Sequence, residues 1–173
     1  MITAFIVAGI VALGLIALVS SRPASFRMER STSIAAPPER VFALIQDFHE
    51  WTKWSPFEKL DTDLKRSYSG APSGRGAGYA WDGKKAGAGS MLIVEATAPS
   101  KVVIQLDFSK PFEAHNVAEF TMTPEAGGTR VSWAMSGPLN FMTKAMHLVM
   151  PMDKMVGPQF EEGLANLKRN AEG

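Results

Sequence analysis

The chain of 173 residues has no cysteine. Disulfides, thiolate metal sites and a cysteine nucleophile are therefore excluded. Histidine is scarce. His49, His115 and His147 lie far apart, without HxH or HxxxH spacing, which argues against a histidine-rich metal site. Neither sign of charge dominates, and a net charge of +1 gives no electrostatic footprint for nucleic acid. Charge is also missing locally, since Met1 to Ser21 carries no charged side chain. What is abundant is methionine, with ten residues. Its flexible thioether suits surfaces that meet variable apolar partners. The length fits one domain and an appendage.

The uncharged segment contains the apolar run Ile2–Val19. As a helix it would reach about 27 Å, close to the thickness of a hydrocarbon core. A cleaved signal peptide would have a basic start, a shorter apolar stretch and a small-residue cleavage site. Here no Lys or Arg precedes the run, and "VSS" is followed by Arg22-Pro23. The expectation is an uncleaved transmembrane anchor over 1–21, a linker over 22–25 and a domain over 26–173. Arg22, Arg27 and Arg30 after the run place that domain in the cytoplasm by the positive-inside rule. Ala4, Ala8 and Ala12 form a small-residue ridge, read as ordinary helix composition rather than a pairing face.

Beyond the linker, "FRMERSTSIA" (26–35) alternates as a strand. Pro37-Pro38 then opens a helix with Val41, Phe42, Leu44 and Ile45 on one face. "DFHEWTKW" reads as a second short helix, with Asp47 as N-cap and Pro56 as its stop. Six period-two segments follow, over 63–70, 76–83, 89–99, 101–111, 112–124 and 128–137. "WDGKKAG" and "TPEAGGT" look like hairpin turns of an antiparallel meander. The remainder is a long helical segment interrupted at Pro151 and Gly157-Pro158. The fold expected is α+β: a curved seven-stranded antiparallel sheet, in the order β-α-α-β6-α, wrapped on a long C-terminal helix.

The opening "RSTSIAAPPERVFALIQDFHEWTKWSPF", the strand "GTRVSWAMSG" and the ending "MDKMVGPQFEEGLANLK" resemble the START-like helix-grip superfamily (SRPBCC), in its polyketide cyclase/dehydrase-like branch. The resemblance covers residues 26–170. It implies a cavity between sheet and helix of the kind that holds lipids, sterols or polyketides, and it implies no particular reaction.

Alternation assigns the faces of the strands. The concave set holds Tyr79, Trp81, Ile104, Leu106, Phe108, Phe112, Asn116, Ala118, Phe120, Met122, Val131, Trp133 and Met135. The helix is expected to add Phe141, Met142, Met146, Val149, Met150, Met155, Phe160, Leu164 and Leu167. Asn116, as a buried amide, must bond either protein or ligand. Tyr79 offers a hydroxyl on an apolar ring. Glu95 turns inward only if its strand does not bend, and would then be a general-acid candidate. Arg30 reads as snorkelling or strand-end exposure. His115 falls on the polar outer face. Trp51, Trp54 and Phe57 are expected to plug one end of the grip, with Lys53 and Glu58 in water. "GAPSGRGAGYAWDG" lacks the strand-to-helix context of a phosphate loop and is read as a mobile loop at the mouth.

No catalytic residue, metal site or cofactor is legible in the sequence. The function expected is a membrane-tethered binding protein for an apolar small molecule or lipid. One alternative is a cyclase- or hydrolase-like enzyme working in the same cavity. The other is a module that docks a membrane protein partner through its kinked final helix or the polar face of its sheet.

Overall fold

The computed structural model describes residues 2–173, without the side chains of 2–5 and 8. The apolar run forms helix α1 (Ile2–Ser20). Its described apolar side chains, from Ile6 to Leu18, are exposed, and Val19 at its end is buried. Over the described residues alone, no helix is long and apolar enough to cross a membrane. In the alanine ridge, the side chains of Ala4 and Ala8 lie outside the described residues.

The domain begins with β1 (Ser25–Ile34). Next come α2 (Pro38–Gln46), the single turn α3 (Trp51–Trp54) and a 3-10 turn, Pro56–Lys59. Strands β2 (Lys65–Gly70), β3 (Ala77–Asp82), β4 (Ala88–Thr97), β5 (Lys101–Lys110), β6 (Ala114–Glu125) and β7 (Gly128–Pro138) form the meander. The seven-stranded sheet has the order β1-β7-β6-β5-β4-β3-β2, and every pair is antiparallel. The chain closes with α4 (Phe141–Val149) and α5 (Met152–Glu172). This is the α+β helix-grip architecture.

Several local expectations change. Asp47 does not cap the tryptophan helix. Its carboxylate accepts from the His49 backbone N–H at 2.9 Å and makes a turn, so the helix starts only at Trp51. The C-terminal segment breaks once, at Met150-Pro151. α5 runs through Gly157-Pro158, where Pro158 in the second turn leaves the Lys154 carbonyl without its helical donor. The Gly-rich loop is tied down rather than free: Gly74 N donates to Gln46 O at 2.9 Å, and Gly76 N to Ile93 O at 2.8 Å. Phe112 precedes β6 and is exposed, so alternation does not reach it.

α5 crosses the concave face along β1. Lys168 Nζ donates to Ser33 O, and Glu172 accepts from Ala35 N. Further toward its start, Asp153 and Glu161 meet Arg30. The start of α5 therefore points toward the beginning of β1. Phe160, Leu164 and Leu167 are its buried contribution. Tryptophans complete the core. Trp51 Nε1 donates to Ile45 O and Trp54 Nε1 to Leu44 O, carbonyls that the end of α2 leaves without helical partners.

Candidate functional site

Strand register arranges the concave side chains in transverse rows, each about 7 Å from the next along the strands. The inner row is Val102, Phe120, Trp133 and Arg30. The next is Ile93, Ile104, Ala118, Met135 and Met28. Beyond it lie Tyr79, Met91, Leu106 and Asn116, continuing through Gly137 to Phe26. Trp81, Gly89 and Phe108 form the rim.

Packing falls off along this order. In the inner row Trp133 stacks on Phe160 at 3.9 Å and on Phe120 at 4.9 Å, and Trp54 meets Trp133 edge-on at 5.7 Å. Ile104, Phe120, Trp133 and Met135 are buried. The centre of the grip is thus filled by its own aromatic rings rather than held open. Phe26, Trp81, Met91 and Leu106 are only partly buried, as is Phe108. They surround the one buried polar side chain of their row, Asn116, which is 6% exposed. Its amide has no hydrogen-bond partner among the described residues. Gly137 supplies the room for it, because a Cβ there would fall on Asn116 Oδ1. Among the described residues this mouth, not the centre, is the candidate site.

Trp51 and Trp54 are buried, and Phe57 is half-buried against Trp133 and Phe160. They sit at the packed end of the grip. Met142, Met146 and Met150 do not line the interior: all three are exposed, as are Phe141, Val149 and Met155. The concave face is already covered by α5 and α3, and Pro151 turns the chain before α4, so the earlier helix has no interior left to fill.

Glu58 was expected in water and is buried instead. One carboxylate oxygen accepts from Arg66 Nε at 2.6 Å, the other from the Tyr79 hydroxyl at 2.5 Å. Burial and this bond push the Tyr79 pKa far above the usual phenol range. The Tyr79 hydroxyl is therefore committed to the core. Glu95 turns outward to Lys101 at 3.2 Å, because a bulge between Ile93 and Glu95 flips the alternation. His115 is exposed and pairs with Asp107 at 2.7 Å, which raises its pKa. Arg30 is neither snorkelling nor free. It grips Asp153 with both terminal nitrogens, at 2.8 and 3.0 Å, and Glu161 through Nε at 2.8 Å. Gly157 lets the guanidinium lie against α5. These hydrogen bonds hold the Asp153 carboxyl below its usual pKa.

Sequence reasoning missed the Glu58–Arg66–Tyr79 cluster. Its only trace was an acid in an otherwise aromatic stretch. Two surface hollows flank the Gly-rich loop. One, of about 140 Å³, lies between Phe48, Tyr68 and Pro72; the other, of about 440 Å³, lies between Arg40, Asp47 and Asn170. The first touches the concave face at Ala77, beside Tyr79, and neither is lined by Asn116. Among the described residues no group of His, Asp or Glu is placed to hold a metal.

No curated protein matches the chain. Solved structures do match it. Protein CV1439 from Chromobacterium violaceum superposes with a TM-score of 0.61 at 18% identity, over 87% of this chain and 99% of that one. Protein MLL2253 from Mesorhizobium loti gives 0.61 at 18%, over 84% and 96%. The di-domain ARO/CYC BexL of the BE-7585A biosynthetic pathway gives 0.64 at 14%, over 91% of this chain and 53% of that one. At these identities the likeness is one of fold. The family described as polyketide cyclase/dehydrase and lipid transport matches residues 25–172, and the chain belongs to that family.

Proposed function

We propose that the protein binds an apolar molecule carrying one polar group, at the mouth of the grip, and that α1 tethers it to a membrane. The observation that carries the binding reading is the unpaired Asn116 amide inside a ring of half-buried apolar side chains. The amide bonds no protein group and keeps some contact with solvent, so a ligand acceptor or donor would take the place of water there. The family description, which includes lipid transport, and the ARO/CYC neighbour agree with an apolar ligand.

Binding is favoured over catalysis by spacing. Tyr79 and Asn116 stand three strands apart in their row, about 14 Å, and the Tyr79 hydroxyl is already bonded to Glu58. Catalysis needs polar groups that converge on one atom. The tether reading rests on the uncharged sequence of α1 and on its exposed apolar side chains. Arg22, Arg27 and Arg30 then favour the cytoplasmic side.

The test is native mass spectrometry of the chain from Ser25 onward, purified without detergent. A bound apolar molecule is expected, and so is uptake of a fluorescent fatty acid that the Asn116→Leu variant loses. Absence of both the co-purified molecule and the uptake in repeated preparations overturns the reading.

A further inference from the structure

α4 leaves an apolar stripe uncovered. None of its residues is buried. Thr143, Lys144, Ala145, His147 and Leu148 are half-buried, and the His147 ring faces Phe26 of the domain. Met142, Met146 and Val149, at i, i+4 and i+7 on one face, are exposed, Val149 by 87%. Phe141, Met150 and Met155 extend the same apolar surface. An apolar stripe ordinarily faces the core, so this one calls for an apolar neighbour.

The fold says where that neighbour is. α4 packs against α1. Leu139 N, just ahead of α4, donates to Ala24 O at 2.7 Å, which fastens the start of α4 to the linker that follows α1. The His147 ring meets Phe26 edge-on at 5.7 Å, and Phe26 belongs to the row of Asn116. The end of α1, the apolar face of α4 and the mouth therefore share one end of the molecule.

We propose that α4 lies in the surface of the bilayer that holds α1, with Met142, Met146 and Val149 among the acyl chains and the mouth opening beside it. The inference rests on reading α1 as an anchor. A helix of this kind sits about 5–10 Å into the headgroup boundary. Arg22 and Lys154, both exposed at this end, suit anionic headgroups, while Asp153 is held by Arg30. The mouth would then take its ligand from the lipid phase without exposing it to water.

Because the chain has no cysteine, single cysteines can be placed and labelled with an environment-sensitive dye. The full-length protein is reconstituted into vesicles of phosphatidylcholine and phosphatidylglycerol. Labels go on Leu13→Cys in α1, on Met142→Cys and Val149→Cys in α4, and on Val94→Cys on the outer face of the sheet. Spin-labelled lipids quench whatever lies in the bilayer. At least twofold quenching is expected at 13, 142 and 149, by shallow quenchers at 142 and 149, with none at 94. Quenching at 13 without 142 and 149 overturns the proposal and leaves the anchor standing. No quenching at 13 overturns the anchor reading and the proposal with it. A blue-shifted but unquenched label on α4 means that a second copy of the chain covers the helix, which also overturns it.

Discussion

Replacing Asn116 by leucine should make the protein slightly more stable and less able to bind. The amide is 6% exposed and unpaired among the described residues, and its neighbours across the strands are Leu106 and, through Gly137, Phe26. The amide still touches solvent, so replacing it by an apolar group of similar shape should be nearly neutral or slightly stabilising. Leucine is bulkier, but its neighbours Leu106 and Phe26 are only partly buried, so the overpacking cost is small. The net gain expected is up to about 1 kcal/mol. For a domain of this size that raises Tm by roughly 2–4 °C per kcal/mol. Urea unfolding followed by far-UV circular dichroism, on the chain from Ser25 onward, measures the gain. Uptake of a fluorescent fatty acid by the same variant should fall at least tenfold, the loss of one hydrogen bond worth about 1.4 kcal/mol or more. Stability traded against function in this direction marks a binding group. A variant destabilised by more than about 1 kcal/mol would refute the reasoning, because it would show that the native amide is already satisfied.

Other consequences follow from the packed parts. Trp54→Ala should cost about 3–5 kcal/mol by cavity formation, and Trp54→Phe about 1–3 kcal/mol by leaving the Leu44 carbonyl unpaired; equal losses in urea unfolding would contradict this split. Glu58→Gln breaks a buried carboxylate pair whose arginine is partly solvated, so a loss of about 2–4 kcal/mol is expected, below that of a fully buried pair. A double-mutant cycle with Tyr79→Phe should show coupling between the two positions. Burial raises the pKa of both of the chain's tyrosines, and for Tyr79 the Glu58 bond raises it further. Their contribution is complete below pH 10 and is lost above it, where the unfolded chain releases protons that the folded one keeps. For Tyr79 the slope is about 1.4 kcal/mol per pH unit, and it should vanish in Tyr79→Phe. Absorbance at 295 nm should show little tyrosinate near pH 10 until the protein unfolds.

The sequence carried the strands and their faces best where alternation was uninterrupted and apolar. Ile104, Phe120, Trp133 and Met135 fall inside as read, because a one-residue slip would have turned each of them into water. Glu95 could not be placed, since a bulge reverses the parity after Ile93 and no local residue announces it. Glu58 read as a surface charge because its partners come from a strand start eight residues on and from the next strand. A buried carboxylate is legible only through its partners. The error over α4 has a different origin. An apolar stripe of period 3.6 shows that a helix face seeks apolar surroundings, not that the surroundings are protein. Nothing within Phe141–Val149 distinguishes a core from a bilayer. The distinction lies in how much of the concave face α5 and α3 already occupy.

That occupancy limits what the mouth can hold. From the rim at Trp81 and Phe108 to the row of Asn116 is about 7 Å, and the next row inward is closed by Ile104 and Met135. On the proposed reading, a ligand would place only its polar end in the grip, against Asn116, with the rest extending past the rim toward α4. This predicts a sharp boundary between neighbouring residues on one strand. Leu106→Trp, at the depth of Asn116, should block uptake of the fluorescent fatty acid with little change in stability, since Leu106 is only partly buried. Ile104→Val, two residues inward, should cost about 0.5–1.5 kcal/mol in urea unfolding and leave uptake unchanged. If instead Ile104→Val enlarges the range of fatty acids taken up, the ligand penetrates the second row, and the packed centre opens when the protein binds.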